Sequence, residues 1–301
     1  MLEGGIEVWR GGVNAWQCDQ MGHLNVRFYV AHAMEGLAGL AGALGMSQAF
    51  APRGAATLRV LEHHIRFLRE ARVGDPLNLS AGVLELGVDD ARVLMLMAHS
   101  GEEAPSAVIQ TRLAHVTAAG GRRFAWPSSA RARAESLGVK IPDGLGPRSL
   151  EPGVRVAERM LAEADSAGLR PYGAGTFGPE DCDVFGRVAP HRLMARMHDG
   201  AGSGIAMMRE AAGEQAGFAV VEYRIAYFEP PGPGDRFVVR SGLVQAEPRR
   251  IGWTYWAFDV GTGAPIATSR SVLVPFDLGA RRAMSLPDEA VAKLQPALVG
   301  F

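Results

Sequence analysis

Apolar and polar positions along the chain sort into two runs of the same design. In the first, a short strand candidate from Glu7 to Val13 enters a polar loop, and a helical pattern follows from Asn25 to about Gly45. Phe28, Tyr29, Leu37, Leu40 and Leu44 recur there at roughly helical spacing, with Asn25 placed as N-cap. Four strand-like segments come next: Ala56 to Phe67, Leu77 to Leu86, Arg92 to His99 and Ala107 to Val116. Gly74-Asp75, Asp89-Asp90 and Gly101-Glu102-Glu103 supply the turns between them. Gly36, Gly39 and Gly42 sit inside the helix, where each costs about 1 kcal/mol relative to alanine. Such a helix needs tertiary packing, and small residues suit a backbone pressed against a sheet.

The second run repeats the order. Thr176-Phe177 leads into a loop, Pro190 suits the first turn of a helix running to about Glu210, and strands follow at Phe218 to Phe228, Phe237 to Val244, Trp253 to Val260 and Ile266 to Val274. Glu35-Gly36 aligns with Asp199-Gly200 at an offset of 164, the offset of the two loops. After a small deletion the offset is 160, and Glu62, Ile65, Gly74 and Asp75 meet Glu222, Ile225, Gly234 and Asp235. The expected organisation is α+β, with one domain over 1–126, a linker over 127–172 and a second domain over 173–301. The linker includes a helix expected over Val156 to Asp165, and its length lets the second copy pack beside the first. A short surface helix is expected from Pro287 to Leu294.

A length of 301 residues suits two domains of ordinary size. The net charge of -1 gives no global reason to expect nucleic acid or an anionic membrane as partner. Met1 to Gly5 lacks the basic start and apolar core of a secretory signal, and no apolar run is long enough to insert in a bilayer. Two cysteines argue against a disulfide scaffold, so a cytoplasmic location is expected, with Cys18 and Cys182 as small buried residues beside the loops.

The candidate chemistry sits in the first loop, Cys18-Asp19-Gln20-Met21-Gly22-His23-Leu24-Asn25-Val26-Arg27-Phe28-Tyr29. Its copy, Cys182-Asp183-Val184-Phe185-Gly186-Arg187-Val188-Ala189-Pro190, keeps cysteine, aspartate and glycine but replaces the histidine and asparagine. Glu62-His63-His64 could suggest a metal, but strand alternation sends the two histidines to opposite faces, so no metal is expected. Gly200-Ala201-Gly202-Ser203-Gly204 falls inside the second helix without a strand directly ahead, which rejects a dinucleotide site. No Gly-x-Ser-x-Gly nucleophile elbow is present.

Taken together, these segments resemble the hotdog fold, a long helix wrapped by an antiparallel sheet. More narrowly, the loop resembles that of the 4-hydroxybenzoyl-CoA thioesterase-like family, Asp-x-x-Gly-His-Val-Asn-Asn-x-x-Tyr with an acidic residue further along the helix. Asp19, Gly22, His23, Asn25 and Tyr29 fit that pattern and Glu35 suits the helical acid, while Leu24 and Val26 depart from it. The resemblance implies paired hotdog domains with sites at their shared interface, and a tandem chain supplies the pair by itself. It implies hydrolysis of an acyl-CoA, or of an acyl-carrier-protein thioester, with no cofactor. Further assembly into homo-oligomers stays open.

Thioester hydrolysis needs a carboxylate and donors for the developing oxyanion. Asp19 is the expected general base or nucleophile, with free N–H groups near Asn25 to Arg27 as donors and Gly22, Val26, Arg27 and Tyr29 as substrate-binding positions. His23 suits a loop-holding bond or a catalytic one, and Asn25 a water site or a plain cap. Asp183 is a second carboxylate or a turn residue; Glu35 and Asp199 are carboxylates reached from the other copy or structural partners. Arg122-Arg123 and Arg281-Arg282 follow the last strand of each copy and suit either CoA phosphates or solvent. A hotdog hydratase or dehydratase is the enzymatic rival, but its motif places histidine five residues after aspartate, whereas His23 follows Asp19 by four. A non-catalytic acyl-thioester-binding module is the third alternative.

Overall fold

The computed structural model describes residues 2–154, 156–198 and 202–300. The first copy contains β1 (Ile6–Gly12), α1 (Val26–Ala43), β2 (Ala56–Phe67), β3 (Pro76–Leu86), β4 (Asp90–His99) and β5 (Pro105–Thr117). Two short helices follow, α2 (Ser128–Ser136) and α3 (Leu161–Ser166). The second copy contains β6 (Arg170–Thr176), α4 (Pro190–His198), α5 (Gly202–Ala212), β7 (Ala216–Tyr227), β8 (Arg236–Glu247), β9 (Arg250–Asp259) and β10 (Pro265–Asp277). The small β11 (Arg282–Ala283) and α6 (Asp288–Leu294) end the chain.

All strands join one antiparallel sheet in the order β1-β3-β4-β5-β2-β7-β10-β9-β8-β6, with β11 paired to β10. Each copy contributes the same five-strand order, and the halves meet where β2 pairs with β7, from Glu62 opposite Ala226 to Arg66 opposite Glu222. Alternation sends Ile65, Leu79, Met95 and Ile109 toward α1, where they pack with Val30, Leu37 and Leu40. The matching face of the second copy packs Ile225, Val239 and Ala257 with Leu193 and Met197 of α4. Helices α1 and α4 lie against each other, so both wrapped helices meet at the junction.

The opposite face of the sheet is covered by the linker. Leu94, Leu96 and Val108 pack beneath Val139, and Trp256 and Phe258 beneath Ala164 and Leu169. The linker is long because it runs as a strap over both halves. Its expected helix is shorter and later than the apolar pattern suggested, starting at Leu161 rather than Val156, and α2 was not anticipated. Val156 instead packs against the Trp256 and Phe258 cluster from a segment that is neither helix nor strand.

Two of the three helix glycines meet the expected close approach. A Cβ on Gly36 would come within 2.4 Å of Leu79 Cδ2, and one on Gly39 within 2.5 Å of the Val8 carbonyl. Gly42 faces open space, which corrects the expectation there. The second wrapped helix is described as two segments, α4 and α5, and Asp199, Gly200 and Ala201 lie outside the described residues. Cys18 and Cys182 are free thiols packed against the core beside the loops, but half-buried rather than fully buried as expected. Burial and nearby carboxylates push both thiols up, so neither is disposed to react as thiolate. No described helix is long and apolar enough to cross a membrane.

Candidate active site

The loop ahead of α1 is closed by its own aspartate. Asp19 Oδ1 accepts the N–H groups of Met21 at 2.8 Å and His23 at 3.0 Å, and the Asp19 N–H donates to the His23 carbonyl at 2.8 Å. Gly22 turns the chain at φ 77°, a conformation that suits glycine. The Asp19 Oδ2 atom makes no hydrogen bond among the described residues and sits on an exposed residue. Asp183 closes the second loop the same way, accepting from Phe185 at 2.8 Å and Arg187 at 3.1 Å, with Gly186 at φ 72°.

At the helix start the backbone donors are mostly spent. The Asn25 N–H donates to the Gln17 carbonyl, and the Arg27 N–H to Asn25 Oδ1 at 3.1 Å, so Asn25 is an N-cap. The Val26 N–H between them has no hydrogen-bond partner among the described residues. Val26 itself packs half-buried on the core, and the Arg27 guanidinium lies 4.5 Å over the Phe28 ring. Tyr29 is only 4% exposed and meets Phe67 edge-on, with burial pushing its hydroxyl well up. Its ring is placed in the core, behind the loop rather than at its surface.

His23 joins a polar cluster that pattern reasoning missed. Its Nε2 lies 3.1 Å from both Glu70 Oε2 and Arg72 Nη2, and Arg72 pairs with the same glutamate at 2.7 Å. Arg281, from the turn after β10, reaches Glu70 Oε2 at 3.2 Å, so the second copy completes the first copy's cluster. Burial pushes the Glu70 carboxyl up, but Arg72, His23 and Arg281 outweigh it and hold it below the ordinary carboxylate range. Among the described residues Arg281 is the one non-glycine in the left-handed region, at φ 50°, where the first copy has Gly121 at 65°.

In the second copy this cluster is absent. Arg187 stands for His23, Pro230 for Glu70 and Gly232 for Arg72. Arg187 turns instead to the Ala118 carbonyl of the first copy at 2.5 Å. The offset of 160 places Arg72 opposite Gly232, so the signal was present in the sequence but became meaningful only once the strand end lay beside the loop.

Glu35 is drawn to another place. Its Oε2 lies 2.9 Å from Nδ1 of buried His32, whose ring stacks tilted on Trp9 at 4.2 Å. His191 of α4 approaches this pair, and burial with the nearby Arg192 and Arg27 charges pushes its imidazole down to about 4. His63 and His64 do point to opposite faces, His63 to the Tyr227 hydroxyl at 3.0 Å and His64 to Glu222 at 2.8 Å.

A sequence model described as the Thioesterase-like superfamily matches residues 13–134 and again 177–294. The chain belongs to that superfamily. The family places the protein among thioester hydrolases, and the double match follows the two copies. An acyl-ACP thioesterase from Bacteroides thetaiotaomicron superposes over 90% of this chain and 98% of its own, with a TM-score of 0.68 and 11% identity. A 12:0-ACP thioesterase from Umbellularia californica does so over 91% and 95%, with a TM-score of 0.69 and 11% identity. The fold is a tandem pair of hotdog domains. No curated protein sequence matches the chain.

Proposed function

We propose that the protein is an acyl-CoA thioesterase of the 4-hydroxybenzoyl-CoA thioesterase-like type, with one working site, in the first copy. The observation that carries this is the asymmetry of the loops. Both hold an aspartate in the same turn, but only the first sets it beside the His23, Glu70, Arg72 and Arg281 cluster.

Asp19 Oδ2 is the general base. It takes a proton from water as the hydroxyl adds to the thioester carbonyl, and the oxyanion is met by the Val26 N–H at the positive end of α1. The C–S bond then breaks, and the leaving thiolate takes the proton back from Asp19. Direct attack by Asp19 to give a mixed anhydride, opened by water, satisfies the same geometry. His23 and Asn25 hold the loop, Gly22 lets it turn beside substrate, and Arg27 lies at the helix start. Asp183 closes a loop without chemistry, and Glu35 acts through His32 rather than on the thioester. An acyl-carrier-protein thioester is the second substrate class, favoured by the names of the two neighbours that superpose over most of the chain.

The test is CoA release from short, long and aromatic acyl-CoAs by wild type, Asp19→Asn and Asp183→Asn. Loss confined to Asp19→Asn supports the proposal. Absence of release from every member, with acyl-carrier-protein thioesters also intact, overturns it and brings enoyl-thioester hydration or plain binding forward.

A further inference from the structure

Each copy ends its last long strand in a tight hairpin, and each hairpin approaches the loop of the other copy. At the end of β5 the Gly121 N–H donates to the Thr117 carbonyl at 2.9 Å. At the end of β10 Asp277 Oδ1 accepts the Ala280 N–H at 2.8 Å, and β11 pairs back on β10. Such hairpins commonly place one left-handed residue just before the returning strand, where glycine fits without steric cost. The first hairpin has Gly121 there, at φ 65°, and the second has Arg281, at φ 50°.

Stability does not account for the arginine. Its Nη2 lies 3.2 Å and 3.4 Å from the two Glu70 carboxylate oxygens, and both side chains are half exposed. An exposed pair of that kind contributes less than a left-handed backbone costs a residue with a Cβ. Crowding does not account for the glycine either. A Cβ on Gly121 would meet Arg187 Nη2 and Arg59 Nη1 at 3.8 Å, an ordinary contact. The strained residue stands where its side chain faces the fuller loop. The glycine stands in the hairpin that gives the second loop a backbone carbonyl, from Ala118 to Arg187.

From Arg281 an unbroken line of contacts leads to the aspartate. Glu70 Oε2 accepts from Arg281, accepts from Arg72 Nη2 at 2.7 Å, and lies 3.1 Å from His23 Nε2. The His23 N–H donates to Asp19 Oδ1 at 3.0 Å, and His23 is bridged to Arg72 through the backbone. Glu70 and Arg72 belong to one short segment after β2, so their pairing alone leaves that segment free to shift as a unit. Arg281 comes from the other copy. It ties the segment, and the loop bridged to it, to the body of the second domain.

We propose that Arg281 is a positioning residue for the first copy's site, acting across the domain junction through Glu70 and His23 on Asp19. This rests on the reading of Asp19 as the general base. Holding a reacting group in place is worth far more in rate than an exposed ion pair is in stability, and strained backbone collects where structure serves function. The second loop is closed by the same aspartate turn but lacks this tie, in keeping with one working site.

Arg281→Gly in the full chain is the test, because it removes the side chain and relaxes the backbone together. The expected melting temperature is equal to or above that of wild type, while kcat on acyl-CoA falls by about ten- to a hundredfold with KM little changed. Arg281→Lys, which keeps the charge, recovers most of the lost kcat. Glu70→Gln combined with Arg281→Gly lowers kcat no further than the larger single loss, since both break one line of contacts. Amide hydrogen exchange at Met21 and His23, whose N–H groups close the Asp19 turn, quickens in Arg281→Gly. Melting temperature and kcat falling together would make Arg281 structural, and a raised KM at wild-type kcat would make it a substrate contact. Either result overturns the proposal, as does loop exchange at the wild-type rate. Should wild type hydrolyse no thioester, the thioesterase reading falls by itself; quickened exchange then still supports the tie, and unchanged exchange overturns it.

Discussion

The Glu62 carboxylate of the first copy accepts two hydrogen bonds from Arg224 of the second, from Nε at 2.8 Å and Nη2 at 2.5 Å. The offset of 160 turns Glu62 into Glu222 and Arg224 into His64, and these also meet, at 2.8 Å. The junction is one carboxylate contact written twice, with arginine as partner in one version and histidine in the other. Both glutamates then take N–H groups from the strap: Gly153 donates to Glu62, and Arg148 and Ser149 donate to Glu222. The path of the linker is thus held by carboxylates that also join the halves. Removing Arg224 strands the buried Glu62 charge, so Arg224→Ala should lower stability by about 3–5 kcal/mol in denaturant unfolding. Glu289→Ala, which breaks an exposed pair with Lys293, should leave the unfolding midpoint essentially unchanged.

Acid should attack the same junction. Burial pushes the Glu222 carboxyl up, but His64 and the Arg148 and Ser149 N–H groups outweigh it and hold it below the usual carboxylate range. A carboxyl depressed in the folded state stabilises above its unfolded value, and that stability is lost as pH falls through the folded one. Glu222→Gln should therefore be less stable than wild type at neutral pH and show a flatter acid limb when unfolding is measured across the carboxylate range.

His198 supplies a second, separate pH response. Its Nδ1–H donates to the Met194 carbonyl at 2.8 Å, which leaves Nε2 to accept the Tyr223 hydroxyl at 3.0 Å. Burial pushes this imidazole down to about 4. Between there and the unfolded value near 6.5 the unfolded chain binds the extra proton, so stability is full above that window and declines as pH falls through it. Replacing His198 with phenylalanine should reduce the slope of stability against pH in that interval, as read from urea midpoints.

For the loops, asparagine and alanine separate charge from shape. Asparagine keeps the Oδ1 acceptor that closes each loop, so Asp19→Asn should fold normally yet lose about 10²–10⁴ in kcat. Asp183→Asn should hydrolyse thioester at the wild-type rate. Asp183→Ala, which opens the loop, should cost stability rather than chemistry; a drop in kcat at unchanged melting temperature would count against a single working site.

The helix glycines give a stability comparison free of chemistry. Gly39→Ala drives a methyl group into the Val8 carbonyl and should destabilise by about 1–3 kcal/mol. Gly42→Ala meets nothing within 4 Å and should stabilise by up to about 1 kcal/mol. Thermal unfolding of the two variants should move in opposite directions.

Taken by itself, the sequence determined the elements and their doubling. Apolar periodicity located β2 at Ala56–Phe67 and the helix from Asn25, because strand and helix periods are local properties of the chain. The repeat of Asp19-x-x-Gly22 as Asp183-x-x-Gly186 foretold two loops closed alike, since an aspartate turn needs only its own neighbours. The tertiary structure alone decided which of those loops gained partners. Glu70, Arg72 and Arg281 lie 47 or more positions from His23, and only strand pairing and the packing of the second copy's turn bring them together. The strap likewise read as spacer, because a covering segment takes its pattern from the surface it covers and has no period of its own.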